Sequence, residues 1–474
     1  MAVQNTTVAG ALGSQAARQK PVVKAILIEV KAEDLGGQSQ AIADNESWAM
    51  LAGAGRILDP PLDPLVLTTL PEVSTEMGPC IEAMEVNCDG FGYRLKTRID
   101  LDKANEKERA SIVAERVRLL NFFQYASLEH SFTRLRTMRR HDYETTGNAY
   151  WEIIRGASGV IQGFEHLPAW TMRLSPQEKE AVEIEVPILE LQIDGSVKVT
   201  RVKAWRRFRR YVQQRDNLTR WFKQFGDPRV VDNTSGETVP AAKIANWDGN
   251  GNPMPASKQA NEVKHWADYC ARSPYGLPRY VGALLSIFGD REAESINFTT
   301  FKNNNIPSMI LAISNGQLTQ ETIDRIKEFS ESNIQGRNYS KFLVLEAESQ
   351  FDGDSPGQAK IDIKPLSSEQ HSDALFQNYS KENRDKVRRA WRLPPILVGR
   401  ADDYTRATAD TSRRLADEQV FSPEREEFDL WINRELFPAM DVVYHLFHSN
   451  SPNTTDNAEL VRILGGAEKT GGMT

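Results

Sequence analysis

Two long stretches of helical periodicity, residues 278–302 and 367–391, stand on either side of a compact segment, and both end at hard stops. In the first, Pro278 suits an opening helical turn, and Val281, Leu284, Leu285 and Phe288 recur at helical spacing. Asn303-Asn304-Asn305 and Pro307 end it. Twenty-odd residues rising 1.5 Å each make an element roughly 35–40 Å long. Gly289 lies inside it at a cost of about 1 kcal/mol relative to alanine, so close packing or a bend is expected there. The second stretch, Ser367 to Trp391, is halted by Leu393-Pro394-Pro395, since proline excludes the helical conformation before it.

Between them, strands are expected at Ser308–Ile313, Lys341–Glu346 and Lys360–Lys364. A helix carrying Ile323, Ile326 and Phe329 is capped by Thr319. After a polar loop, Gly399 to Thr408, a third long helix runs from Ala409 to Phe437 with a kink expected at Pro423. A strand at Met440–Phe447 and a short helix near Asn457–Leu464 follow.

The first 275 residues read as one mixed α+β body. Residues 1–45 are small and polar and read as a flexible arm. Helices are expected over Glu108–Ala126, where Ile112, Val113, Val117, Leu120 and Phe123 recur, and over Leu128–His141. Strands are expected at 149–155, Val182–Ile193 and Val197–Tyr211, the last two joined by an Asp194-Gly195 turn. Residues 232–262 read as a polar loop.

The 474 residues are 40% hydrophobic and 26% charged, ordinary for globular chains and long enough for two or more cores. No apolar run approaches the ~18 residues of a membrane span, and the first fifteen residues do not read as a signal peptide. Cys80, Cys88 and Cys270 make no disulfide framework, so a soluble protein of a reducing cytoplasm is expected. A net charge of −7 argues against firm nonspecific DNA binding by the whole surface.

The search for catalytic chemistry returns little. No phosphate-binding loop, dinucleotide fingerprint or H-E-x-x-H occurs. Gly353-Asp354-Ser355-Pro356-Gly357 fits a nucleophile-elbow pattern, but it falls in a loop, and Pro356 lacks the N–H an oxyanion hole requires. A chance match is the better reading. His445 and His448, three apart on a strand, face opposite ways and make a poor metal pair. Asp352-Gly353-Asp354 lacks the distal glutamate of a calcium loop and reads as a solvated turn. No cofactor and no metal are expected.

Basic clusters carry more. Arg201 to Lys223 holds nine cations and one acid among Trp205, Phe208, Tyr211, Trp221 and Phe222. Nucleic-acid contact is one reading; a hairpin with a packed aromatic face and a basic face meeting an acidic neighbour is the favoured one. Lys381, Arg384, Lys386, Arg388, Arg389 and Arg392 crowd one helix end, more than the helix dipole needs. They point to DNA phosphate or to an acidic neighbouring subunit, and residues 401–436 hold ten acids against five bases.

Several segments taken together resemble the portal proteins of tailed bacteriophages, of the kind found in long-tailed phages and related prophages. They are Pro60-Pro61-Leu62-Asp63, Asn87-Cys88-Asp89-Gly90-Phe91-Gly92-Tyr93, Asp142 with Gly147-Asn148-Ala149-Tyr150, and His166-Leu167-Pro168. Phe225-Gly226-Asp227-Pro228-Arg229, Ser273-Pro274-Tyr275-Gly276-Leu277-Pro278-Arg279 and Leu393-Pro394-Pro395-Ile396-Leu397-Val398-Gly399 complete the set. Their order and spacing over residues 57–440 carry the likeness.

The resemblance implies an α+β, portal-type subunit. Residues 1–45 depart from it and match nothing in its pattern, while 46–275 would be a wing, with stem helices at 278–303 and 367–392 flanking a clip at 304–366. A tunnel loop at 396–408 and a kinked helix and strand at 409–450 would return the chain to the wing, and 451–474 leave a small crown or none. It further implies a ring, usually of twelve subunits, at one capsid vertex of the virion, assembled in the host cytoplasm. Double-stranded DNA would pass the channel inward at packaging and outward at ejection. Arg400, Asp402, Asp403, Tyr404 and Arg406 of the loop would face it, with Lys381, Arg384, Arg388, Arg389 and Arg392 of the stem. Thr319, Glu321, Asp324, Glu328, Asp352 and Asp354 of the clip would dock the packaging ATPase (the terminase large subunit) and then the neck or adaptor protein. The ring would also meet the major capsid protein, with no membrane partner and no catalysis of its own.

Two other classes stay open from sequence. A nuclease using scattered carboxylates with Mg²⁺ leaves faint traces, and a monomeric scaffold with a coiled helix pair would share the helical pattern.

Overall fold

A computed structural model of the chain describes residues 57–99, 105–156, 158–191, 197–303, 309–314, 320–321, 324, 342–347, 360–365, 376–400 and 405–452. It is a mixed helix-and-sheet protein, as expected. Helices α1 (Pro64–Val73) and α2 (Met77–Met84) lead through a π-turn, Glu85–Gly90, into strand β1 (Tyr93–Thr97). Asp63 caps α1 by accepting from the Leu65 amide, with Pro64 in the first turn, where its missing N–H costs nothing. Helix α3 (Glu106–Gln124) opens on a reciprocal capping box between Asn105 and Glu108.

The face α3 buries corrects the periodicity reading. Ile112, Leu119 and Phe123 point inward, whereas Val113, Val117 and Leu120 are exposed. The apolar positions belong to two faces, which a three-to-four-residue recurrence alone does not separate. Helix α4 is Phe132–Thr146 rather than 128–141, because Ser131 is its cap and Gly147, at φ +73°, its stop.

Six strands make the central sheet in the order β3-β2-β9-β8-β7-β4: β2 (Asn148–Arg155), β3 (Ile161–Leu167), β4 (Met172–Leu174), β7 (Arg210–Arg215), β8 (Leu218–Gln224) and β9 (Glu262–Ala267). All neighbours are antiparallel except β8 and β9. The expected 197–211 strand is two, because the backbone leaves the ladder after Arg206 and β7 joins a different sheet. Hairpin β5 (Val182–Leu191) and β6 (Val197–Arg206) stands apart as a two-stranded sheet. Its turn, 194–195, lies outside the described residues. The 232–262 loop ends in β9, a six-residue strand too short for its alternation to announce it.

After a 3₁₀ turn at Val281–Ala283, helix α5 (Leu284–Asn303) runs for 20 residues, or about 30 Å. Strands β10 (Met309–Ser314), β11 (Phe342–Ala347) and β12 (Lys360–Pro365) form a sheet ordered β11-β10-β12, close to the three expected strands. Helix α6 (Gln377–Trp391) returns antiparallel to α5, and residues 367–375 of the expected helix lie outside the described residues.

The third long helix is interrupted by a different device from the one expected. Between α7 (Arg406–Ala416) and α8 (Ser422–Trp431) lies a π-turn, Asp417–Phe421, and a second follows at Ile432–Leu436. The extra residue of the π-turn places Pro423 in the first turn of α8, where no hydrogen bond is lost. The final strand is β13 (His445–Ser449), later than expected, and it pairs antiparallel with β1, Leu95 opposite Phe447. His445 is buried against Glu115 at 2.8 Å and His448 faces outward, opposite sides as the strand period requires.

Two large cores result. One is aromatic and lies under the sheet: Phe123, Phe132, Trp151, Phe164, Phe428, Trp431, Phe437 and Phe447. The other joins α1 and α2 to the α5–α6 pair through Leu70, Met77, Tyr280, Ile287, Val387, Trp391 and Phe421.

Candidate functional site

Two of the segments that gave the sequence its likeness, 87–93 and 273–279, meet helix α4 where the α5–α6 pair joins the sheet body, and they do so as a buried charged junction. Helix α4 sets Arg136, Arg139, Arg140 and Glu144 at three- and four-residue steps, hence on one face. Opposite them the π-turn presents Asp89, which is 1% exposed. Arg136 donates from Nε to Asp89 Oδ1 at 3.0 Å, Arg139 from Nη2 to Oδ2 at 3.2 Å, and Arg140 from Nε to Oδ2 at 2.9 Å. Burial opposes ionisation of Asp89. The arginines Arg139, Arg140 and Arg136 outweigh it and hold the carboxyl well below the usual carboxylate range.

Arg140 continues to Glu424 of α8 at 2.6 Å. Arg279, from the segment leading into α5, donates to Glu424 at 2.8 Å and lies 3.0 Å from Glu144. Trp391 of α6 donates its indole N–H to Glu144 at 2.9 Å. Burial works against Glu424 too, but Arg140 and Arg279 bring its pKa down to about 2. Glu144 is pushed up, by burial first. Four arginines and three carboxylates from four separate stretches of chain thus close one network. Breaking one partner of such a pair leaves a buried uncompensated charge, which is costly.

Around this network the remaining motif residues lock backbone to backbone. Gly276 N donates to Asn148 Oδ1 at 2.8 Å, and Asn148 Nδ2 donates back to Gly276 O at 3.0 Å. Gly147 and Gly276 approach so closely that a Cβ on either would strike main chain of the other segment. Tyr275 donates its hydroxyl to Leu58 O at 2.6 Å and accepts from Leu174 N at 2.8 Å. Tyr280 donates to Thr145 O and stacks on Trp391 at 5.6 Å between centroids. Asp142 accepts from Ala169 N at 2.7 Å and lies 3.1 Å from His166. Asp227 holds Arg210 and Arg229. These residues position; none is arranged as an acid–base or nucleophilic set. Among the described residues no group of three His, Cys, Asp or Glu side chains is placed to hold a metal ion.

The structure places the site residues expected from sequence as follows. Arg384 bonds Asp290 at 3.1 Å and Glu294 at 2.6 Å. Arg388 is buried between Glu76 and Asp385, at 3.3 and 2.7 Å. Both guanidiniums therefore serve within the chain. Lys381, Arg389 and Arg392 are exposed. Arg400 is half-buried, 3.6 Å from Glu76, and Arg406 is exposed at the start of α7. Glu321 and Asp324 are exposed. Asp402, Asp403, Tyr404, Thr319, Glu328, Asp352 and Asp354 lie outside the described residues, as does the 353–357 motif. The cluster at 201–223 meets its favoured reading only in part: it is not one hairpin but spans β6, β7 and β8 in two sheets. Phe208, Tyr211, Trp221 and Phe222 are buried whereas Trp205 is exposed, and Arg201, Lys203 and Arg210 lie near Glu185, Glu183 and Glu178. The Asp89–Glu144–Glu424 network was missed; its signal is the run Arg136, Arg139, Arg140, Glu144 on one face of a helix.

The family description "Phage portal protein" matches residues 119–474. The "Phage-like element PBSX protein XkdE" of Bacillus subtilis (strain 168) is 32% identical over 418 residues, 86% of this chain and 80% of that one. Among solved structures, a chain of the "Virion of native gene transfer agent (GTA) particle" gives a TM-score of 0.52 at 16% identity, covering 89% of this chain and 93% of that one. A chain of the "Neck of native GTA particle computed with C12 symmetry" gives 0.52 at 15%, covering 90% and 93%. The fold is thus one found in chains of gene transfer agent particles. The chain belongs to the phage portal protein family.

Proposed function

We propose that copies of this chain close into a ring, of twelve subunits, at one vertex of a capsid, and that the ring conducts double-stranded DNA during packaging and ejection. The observation that carries this is membership of the portal family across residues 119–474. A C12 neck particle of similar fold supports the subunit number. A head-to-tail interface with a closing rotation generates such a ring.

In this reading residues 46–275 and 409–450 form the wing, 278–303 and 367–392 the stem, 304–366 the clip and 396–408 the tunnel loop. The loop residues Arg400, Asp402, Asp403, Tyr404 and Arg406 come closest to DNA, and the exposed Lys381, Arg389 and Arg392 meet DNA phosphate or a neighbouring subunit. Arg384 contributes by tying the two stem helices together, and Arg388 by fixing the stem to Glu76. The acidic surplus suits a conduit, because each firm phosphate contact slows a sliding polyanion. The clip residues Glu321 and Asp324, with Thr319, Glu328, Asp352 and Asp354, dock the terminase large subunit, which supplies the ATPase, and later the neck protein. The wing faces the major capsid protein in the virion. The ring itself performs no bond chemistry.

The test is DNA packaging into capsids assembled with and without this protein. Nuclease-protected DNA only in its presence is expected. Plasmid cleavage by the purified protein with Mg²⁺ would favour the nuclease reading instead.

A further inference from the structure

The α5–α6 pair has two outer sides of different character. On α5, Asp290 and Glu294 face α6, bonded to Ser380 and Arg384, and Ile287 joins the shared core. About half a turn away stand Leu285, Phe288, Glu292 and Ile296. Leu285 is 85% exposed, Phe288 46% and Ile296 49%, and Glu292 is exposed among them. A stripe of this kind on a helix already packed on its other face is unusual for a surface in water.

On α6 the side away from α5 carries Lys381, Lys386 and Arg389, all exposed, with Glu382 paired to Lys386 at 3.1 Å and the exposed Arg392 just past the helix end. Each outer side lies opposite the contact the helices share, so the two sides lie on opposite flanks of the pair. One flank is an apolar stripe with the Glu292 carboxylate set in it; the other is basic with long alkyl stems.

We infer that the outer side of α5 docks on the outer side of α6 in the next copy of this chain. Two different complementary flanks are what a head-to-tail contact needs to repeat. With the helix pair standing along the ring axis, cyclic symmetry keeps all copies at one height, and that sets the register of the proposed contact. Tyr280 lies level with Trp391 and Asp290 with Ser380 and Arg384. Glu292 therefore meets Lys381 of the next copy, and the stems of Lys386 and Arg389 cover Leu285 and Phe288. Lysine and arginine stems bury well against apolar surface, and a cation over the Phe288 ring adds attraction. This inference rests on the ring reading and names its stem interface.

The test uses full-length chain. Particle mass is measured for wild type, Leu285→Asp, Lys381→Glu, and Lys381→Glu combined with Glu292→Lys. The wild type is expected to form the ring and Leu285→Asp to lose it. Lys381→Glu should shift assembly to about tenfold higher protein concentration, the equivalent of ~1.4 kcal/mol, and the double reversal should restore it. Far-ultraviolet circular dichroism confirms that each variant is folded. Separately made Glu292→Cys and Lys381→Cys chains in a Cys270→Ser background, where Cys80 and Cys88 stay buried, are mixed, assembled and treated with a short bismaleimide. Crosslinked dimers are expected only from the mixture. A normal ring from Leu285→Asp, failure of the double reversal to rescue, or no crosslink overturns the inference while leaving the ring intact. A Lys381→Glu ring that assembles normally but changes DNA retention assigns that cation to DNA, and also overturns it. A wild type that forms no ring removes the reading beneath.

Discussion

Trp391, the last residue of α6, donates its indole N–H to the buried Glu144 carboxylate at 2.9 Å, across 247 residues of sequence. Through Glu144 the helix end is tied to Arg279, at the entrance to α5, and through Arg279 and Arg140 to Glu424 of α8. Movement of the helix pair relative to the sheet body must break or reorganise these bonds. Trp391→Phe keeps an aromatic ring there and removes the donor. A loss of about 1.5–3 kcal/mol in urea unfolding is expected, the worth of one hydrogen bond to a charged group, since Arg279 still faces the same carboxylate oxygen.

Asp89→Asn should be more damaging, since three buried guanidiniums lose their shared anion. Removing one partner of a buried ion pair costs about 3–5 kcal/mol. A variant that unfolds at wild-type denaturant concentration would show the network to be dispensable.

The same groups set an acid limit. Asp89 and Glu424 titrate in the folded protein below their unfolded values, so their contribution is full above the ordinary carboxyl range. It is lost as the pH falls from there toward about 2, the folded value of Glu424. Glu144, pushed up by burial, runs the other way and partly offsets them. Urea midpoints should fall steeply below about pH 4, and Asp89→Asn should flatten that fall.

Much of this architecture was legible. The two long helices, the three-stranded insert and the third helix announced themselves through period, caps and prolines, and Gly289 marked close packing: a side chain there would collide with Tyr379 of α6. What failed did so for physical reasons. Periodicity merged two faces of α3 because Val113 follows the inward Ile112 directly, and Val117 sits midway between the inward Glu115 and Leu119. The interruption near Pro423 was credited to the proline, since a π-turn has no composition of its own. The six-cation cluster on α6 read as one surface. Arg384 and Arg388 instead find Asp290, Glu294 and Glu76, partners 90 or more residues away that no local pattern predicts. The Asp89 network stayed hidden for the same reason.

Neighbouring arginines should therefore behave differently. Arg388→Ala leaves the buried Glu76 and its neighbour Asp385 to the more distant Arg400, 3.6 Å from Glu76, and should cost about 1–3 kcal/mol in the isolated chain. Arg389→Ala, on an exposed side chain, should stay within about 0.5 kcal/mol. Equal losses at the two positions would refute the division between cations that hold the fold and those that face outward.

Gly147 sits at φ +73° with the main chain of Leu277 and Pro278 against its Cα. Alanine there pays for a left-handed backbone and an overlap that backbone cannot relieve, together about 2–4 kcal/mol. Gly159, also at positive φ but with open space around it, should cost only the conformational part. Comparing Gly147→Ala with Gly159→Ala by thermal unfolding separates the two effects.

The central claim is that this chain builds a ring, and particle mass on freshly purified protein, by mass photometry or light scattering, tests it most directly. Twelve copies of the 53.4 kDa chain come to about 640 kDa. A dominant species at that mass is the predicted result. A stable monomer at every concentration, with and without capsid protein, would contradict it.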